Sequence, residues 1–282
     1  CNCKDVCSCD IGSGAAVGVY RRDRGSQCDQ ACVIQPGLPT QPDLPGLFAT
    51  LKRLCGSDAL VLDPTALVAA RHDVYATGVQ PLAILAPREA DTLGPAIAAI
   101  TAQGLAVVPR GGGLSYTAGY VLPVGQAVLV DLSRLDRILA IDPVNMTVTV
   151  EAGATWKAIH AALAVHDLRL PFFGTFSGAG ATVGGGLSHG ALFFGSARYG
   201  SAADILLSMD VVLADGSVLS TGQAALRANC HPVFRGFGPD LGGLFLHDGG
   251  AFGIKARATL RVMRRPAHTG CASFAFSRID DA

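Results

Sequence analysis

The chain carries no excess of charge of either sign: 22 basic residues balance 22 acidic ones over 282 residues. A broad nucleic-acid-binding face is therefore excluded, and any anion site has to be local. No uninterrupted apolar run reaches the ~18 residues needed to cross a bilayer, although half of the residues are hydrophobic, so no transmembrane segment is expected. The 35 glycines have no G-X-Y period. They signal tight turns and close backbone approaches, not a collagen-like rod. A basic start followed by an apolar stretch is also missing, so no secretory leader is visible and a cytoplasmic protein is expected. The sequence opens on Cys1 and not on methionine, which weakens that expectation.

Cysteines are present but lack a familiar pattern. Six of the nine, Cys1, Cys3, Cys7, Cys9, Cys28 and Cys32, crowd the first segment. Their spacing matches none of the usual zinc or iron–sulfur sets, so no metal site is assigned, with metal ligation and disulfide pairing left as alternatives. Gly12, Gly14 and Gly18 resemble a dinucleotide fingerprint, but the spacing is one residue too long and no strand precedes it. Prolines 36, 39, 42 and 45 punctuate a linker, and residues 1–46 read as a separate cysteine- and proline-rich segment.

What the chain does have is one conspicuous stretch, Pro109, Arg110, Gly111, Gly112, Gly113, Leu114 and Ser115. Three glycines without Cβ atoms let backbone N–H groups approach a ligand as an anion-binding nest. The apolar run 105–108 leads into it as a buried strand. A strand at 81–87 and a helix at 89–103, with acids in its first turn and Gly94-Pro95 weakening its interior, complete a β-α-β unit ahead of that loop. Further on, a short helix is expected at 47–54, a strand at 127–132, a hairpin at 138–141 and 146–150, and a helix capped by Thr155 that bears Trp156, Ile159 and Leu163. Asp215-Gly216 joins a second hairpin. Residues 253–263 alternate as a half-buried strand, with Lys255, Arg257, Thr259 and Arg261 on its polar face.

A second glycine-rich stretch, 174–190, is too apolar for a linker and too rich in glycine for a helix or strand, so its expected role is to lie against a ligand. It offers Thr182 and Ser188 as hydroxyl donors. Two such loops far apart in sequence imply a ligand with an extended anionic middle, such as the pyrophosphate of a dinucleotide.

The series VVPRGGGLS (107–115), VTVEAG (148–153), ATVGGGLS (181–188), ARYG (197–200), VVLADGSVL (211–219) and GAFGIKARATL (250–260) resembles the flavin domain of the vanillyl-alcohol oxidase and p-cresol methylhydroxylase superfamily, on the side of its glycolate oxidase and D-lactate dehydrogenase-like members. The resemblance implies an α+β, PCMH-type fold over 47–265, with a small parallel subdomain (about 79–132) and a larger, mostly antiparallel one (133–265). It implies FAD, contacted by residues 109–115, by Thr182, Gly184, Gly185 and Ser188, and by the backbone of Gly200 and Ile254. Some members attach FAD through a histidine in the first loop. Leu114 occupies that place here, so non-covalent FAD is expected.

The implied reaction is oxidation of a 2-hydroxy acid or related alcohol, with electrons passed to oxygen, a quinone or a carrier protein. A phenolic-alcohol oxidase, a redox-neutral ether-lipid synthase-like enzyme and a non-catalytic flavin-binding module are the alternatives. Residues 266–282 look like the opening strand of a substrate domain, and the chain is expected to be truncated there. No catalytic base is assigned, and His189, Tyr116 and Tyr199 are the polar candidates near the flavin.

Overall fold

The computed structural model describes residues 41–122, 125–171, 176–226, 232–236, 238–270 and 272–281. The N-terminal cysteines and the rejected fingerprint at 12–18 lie outside them.

The small subdomain begins with α1 (Leu44–Cys55), three residues earlier than the hydrophobic pattern suggests. Asp43 caps it by accepting from the Gly46 N–H at 3.0 Å, and Leu47 and Leu51, one turn apart, are its buried residues. Next come β1 (Leu60–Val61) and α2 (Pro64–Ala69). Pro64 starts this helix, where a first-turn residue has no intrahelical N–H bond to lose. Beyond β2 (Ala83–Leu85), a 3₁₀ turn at Ala90–Thr92 leads into α3 (Leu93–Thr101). Gly94-Pro95 therefore sits in the first turn of α3 and does not weaken its middle. Glu89 precedes the 3₁₀ turn and Asp91 lies within it, and α3 has no acid in its own first turn.

The strands β3 (Ala106–Arg110) and β4 (Ala127–Asp131) complete a four-stranded sheet of order β1-β2-β4-β3, in which β2, β4 and β3 run parallel and β1 is antiparallel. Pro109 and Arg110, expected in the loop, belong to β3. That strand lies at the sheet edge, where a proline costs no ladder bond.

The larger subdomain is a fully antiparallel sheet of five strands: β5 (Ile138–Asp142), β6 (Thr147–Glu151), β8 (Leu206–Val212), β9 (Val218–Ser220) and β10 (Ile254–Arg261), ordered β5-β6-β10-β8-β9. Both expected hairpins form. In the first turn Asp142 accepts from the N–H groups of Val144 and Asn145 at 2.9 Å each. In the second, Gly216 takes φ +82°. Between these strands lie α4 (Trp156–Ala164), capped by Thr155, the short β7 (Leu168–Arg169), α5 (Val183–His189) and α6 (Ser196–Tyr199). A two-residue strand, β11 (Met263–Arg264), pairs with β7.

β10 is the middle strand, and this corrects the half-buried reading: Lys255 and Thr259, on its polar side, are buried as well. Thr259 meets its register partner Thr149 hydroxyl to hydroxyl at 2.9 Å. Residues 272–278, read as the opening strand of another domain, form no strand. One hydrophobic cluster packs α4 and α5 onto the large sheet. A second joins Leu93, Ile97 and Ile100 of α3 and Val128 and Val130 of β4 with Val212, Ile254 and Ala256 of the large sheet, so the core is continuous between the two sheets.

Candidate functional site

The glycine loop leaves the end of β3 and forms one wall of a cavity of about 400 Å³, within the 300–1,000 Å³ of small-molecule sites. Its glycines are needed for contact. A Cβ on Gly111 would lie 2.3 Å from Thr182 Oγ1, and one on Gly112 only 1.9 Å from the Gly180 carbonyl oxygen. The two glycine-rich stretches are thus pressed together, some 70 residues apart in sequence. Among the described residues, the N–H groups of Gly112, Gly113 and Leu114 find no acceptor, which leaves three donors at the cavity wall.

Beneath this loop lies the guanidinium of Arg110. Gly113, at φ +69°, makes room for it, since a Cβ there would meet Nη2 at 2.6 Å. Arg110 pairs with Asp131 at 3.6 Å and lies 5.2 Å over the Tyr120 ring, while its buried Nε has no partner. The Tyr120 hydroxyl donates to the Gly113 carbonyl at 2.8 Å. Burial raises the pKa of that phenol, with Arg110 opposing. Tyr120 escaped the sequence reading because its role depends on a contact seven residues away that no local pattern announces.

The second half of the second glycine stretch is not a loop but the helix α5, with Thr182 as N-cap accepting from Gly185 N–H at 3.4 Å. The glycines that argue against a helix by propensity are explained by packing. A Cβ on Gly184 would sit 2.9 Å from Ala152 Cβ, and one on Gly186 2.6 Å from Trp156 Cζ2. The helix lies closer to its neighbours than any side chain permits, and the buried contact outweighs about 1 kcal/mol of propensity per glycine. Gly184, Gly185 and Ser188 line the cavity from this helix, as does Thr182 at its cap. His189, its last residue, also lines it. Partial burial lowers the His189 pKa, helped by the Lys255 ammonium and opposed by Asp248.

A third wall was read only in part, as the GAFGIKARATL motif (250–260), without its turn at 247–249 or its ion pair. Residues 247–253 fold back against the end of α5, with Gly249 N–H donating to the Ser188 carbonyl at 3.0 Å, and a Cβ on Gly250 would meet Pro109 Cγ at 2.6 Å. Inside this turn Asp248 accepts from the Gly250 and Phe252 N–H groups at 2.9 and 3.3 Å and from Lys255 Nζ at 2.7 Å. Both side chains of the ion pair are almost fully buried, 2% and 1% exposed. Burial lowers the Lys255 pKa against the pull of Asp248. The only sequence signal was a lysine in the glycine-flanked GAFGIK run, which the alternating pattern assigned to solvent.

All of residues 109–115 line the cavity, so the two stretches singled out by sequence are brought together. Gly200 and Ile254 are not among its lining residues. Gly200, at φ +81°, ends α6, and Ile254 is packed in the core shared by the sheets. Tyr116 lines the cavity and is largely exposed, whereas Tyr199 stacks with Arg198 at 5.3 Å and does not line it. Among the described residues no group of His, Cys, Asp and Glu is arranged to hold a metal, and no helix is long and apolar enough to cross a membrane.

Backbone donors, an arginine with an unused buried N–H, hydroxyls and aromatic walls suit a ligand that joins an anionic stretch to flat rings. The comparisons with known proteins agree. Residues 81–222 match a family model described as an FAD binding domain. The chain is 29% identical over 206 residues to D-lactate dehydrogenase [cytochrome] 1, mitochondrial, of Saccharomyces cerevisiae, covering 72% of this chain and 33% of that protein. It is 27% identical over 202 residues to glycolate oxidase subunit GlcD of Bacillus subtilis, covering 72% and 41%. The chain thus spans about a third to two fifths of the length of these relatives. Among solved structures it is similar to p-cresol methylhydroxylase with substrate bound, at a TM-score of 0.66, 20% identity and coverage of 82% of this chain and 46% of the other; that likeness concerns the fold.

Proposed function

The chain belongs to the FAD binding domain family, and from that premise we propose that it is the flavin-holding part of an oxidoreductase acting on 2-hydroxy acids. The observation that carries the proposal is the meeting of the two glycine segments at one cavity, Gly111 against Thr182 and Gly112 against Gly180. The residues fit the cofactor. The free N–H groups of Gly112, Gly113 and Leu114 and the Arg110 Nε would hold the pyrophosphate, with Ser115, Thr182, Gly184, Gly185 and Ser188 beside it. Hydrogen bonds to an ionised oxygen are worth about 1.5–3 kcal/mol each, so a handful secures a dianionic bridge on a chain of zero net charge. When bound, FAD supplies the ring that accepts a hydride from a carbon bearing a hydroxyl group.

The chain's own part is orientation and exclusion of water. Tyr120 and Asp131 fix Arg110, Thr182 fixes α5, and Trp156 and Phe193, ring centroids 5.1 Å apart, close the apolar side of the cavity. The 2-hydroxy acid class is supported by the relatives, whose names specify D-lactate and glycolate. Oxygen, a quinone or a carrier protein completes the cycle as electron acceptor. Anaerobic mixing of the FAD-loaded protein with D-lactate, glycolate and a phenolic alcohol tests the reading. Loss of flavin absorbance with a 2-hydroxy acid is expected; bleaching by the phenolic alcohol alone refutes the substrate class.

FAD is held without a covalent bond in this proposal, because Leu114 offers no nucleophile in the first loop. Acid precipitation should leave the yellow colour in the supernatant. A yellow pellet would show attachment through another residue, such as His189, which lines the cavity.

A further inference from the structure

Lys255 is an expensive residue to place where it stands. It occupies the central strand of the larger sheet, opposite Val211 in register, and its side chain is almost wholly buried. A well-packed apolar side chain at such a site is commonly as stable as a buried ion pair, or more so. Its counter-charge has to be delivered by a turn holding His247, Gly249 and Gly250 at φ +57°, +61° and +84°, of which the first is a conformation that side chains rarely adopt. Asp248 accepts from two backbone N–H groups as well as from Lys255. Lys255 lines the cavity and Asp248 does not. The pair is therefore oriented with its lysine at the cavity wall and its carboxylate behind it, on a different wall from Arg110 and the donors of the first loop.

We propose that Lys255 is the cavity's fixed cation toward the electron-accepting ring of the cofactor, where it favours the negative charge that the ring gains on two-electron reduction. The inference rests on the FAD reading above. In the reaction the substrate C–H bond breaks, its hydrogen and two electrons pass to the ring, and the hydroxyl proton leaves to solvent. The ring is left one charge more negative, and that charge is what the ammonium meets. Charge near the ring is one of the means by which a protein tunes a flavin.

The test compares the 282-residue chain with the double variant Lys255→Met/Asp248→Asn, which removes both charges and strands neither. Affinity for oxidised FAD and for ADP is measured by titration, and the midpoint potential by equilibration with reference dyes during slow dithionite reduction. Oxidised FAD and ADP should bind within about threefold of the parent, while the reduced form binds about tenfold more weakly. For a two-electron couple this lowers the potential by about 30 mV. Asp248→Asn alone, read at the lowest pH at which the protein stays folded because burial already lowers the Lys255 pKa and loss of Asp248 lowers it further, should raise the potential, and it keeps the idea testable if the double variant does not fold. An unchanged potential in both variants overturns the proposal, and so does an equal loss of affinity for oxidised FAD, reduced FAD and ADP, which would place Lys255 at the phosphates. If the parent chain binds no FAD, the functional reading itself fails, a result distinct from either.

Discussion

Gly112 is the position with least freedom in the cavity wall. The obstacle to a side chain there is a backbone carbonyl, Gly180 O, 1.9 Å from where the Cβ would stand, and backbone cannot rotate away as a side chain can. Gly112→Val should therefore push the two segments apart, cost about 1–3 kcal/mol as overpacking, and yield protein that purifies without flavin colour. Leu114→Ala removes only side-chain atoms and should keep FAD bound; absorbance after gel filtration checks both. Equal retention would mean that the contact between the segments does not build the site. These glycines were legible because a glycine run between apolar segments has few other uses. Tyr120, Asp248 and Lys255 were not, since each matters through a partner that only the fold brings within reach: Gly113 for the tyrosine, and the turn at 247–253 for the ion pair.

At the scale of elements, turns and caps could be read from the sequence and glycine-rich helices could not. Asp215-Gly216 and the Asp142 turn define hairpins by local chemistry, and Thr155 caps α4 as its position predicts. The stretch 183–189 defeats the same reasoning, because propensity counts three glycines as breaking the helix while the packed structure uses two of them for contact with Ala152 and Trp156. Such a helix depends on its cap more than most. Thr182→Ala removes the acceptor for Gly185 N–H and the side chain against which Gly111 packs. A loss of about 0.5–2 kcal/mol is expected from the cap, together with weaker FAD binding, and Thr182→Ser should recover most of both. Denaturant unfolding followed by circular dichroism, with FAD titration on the same samples, measures the two effects. FAD affinity unchanged in Thr182→Ala would separate the cap from the site.

The whole molecule joins two sheets of different kind through one core and one cavity. Val212, Ile254 and Ala256 of the antiparallel sheet share a hydrophobic cluster with α3 and the parallel strands. Gly94 and Gly216 meet with backbone oxygens 2.5 and 2.4 Å from each other's missing Cβ, and Arg257 reaches Asp91 at 2.6 Å. A border this closely packed does not let one sheet melt while the other stands, so thermal unfolding should show a single transition. The cavity draws Arg110 and the first glycine loop from the parallel side, and α5 and Lys255 from the antiparallel side. A ligand bound there holds both, and its binding energy stabilises the molecule as one unit. FAD at about 100 times its Kd adds about 2.7 kcal/mol, which for a domain of this size is roughly a 5–10 °C rise in Tm. Scanning calorimetry with and without FAD should show the single peak move intact. A peak that splits, with only one part shifted by FAD, would mean that the cofactor is held by one sheet alone and that the shared cavity is not its binding site.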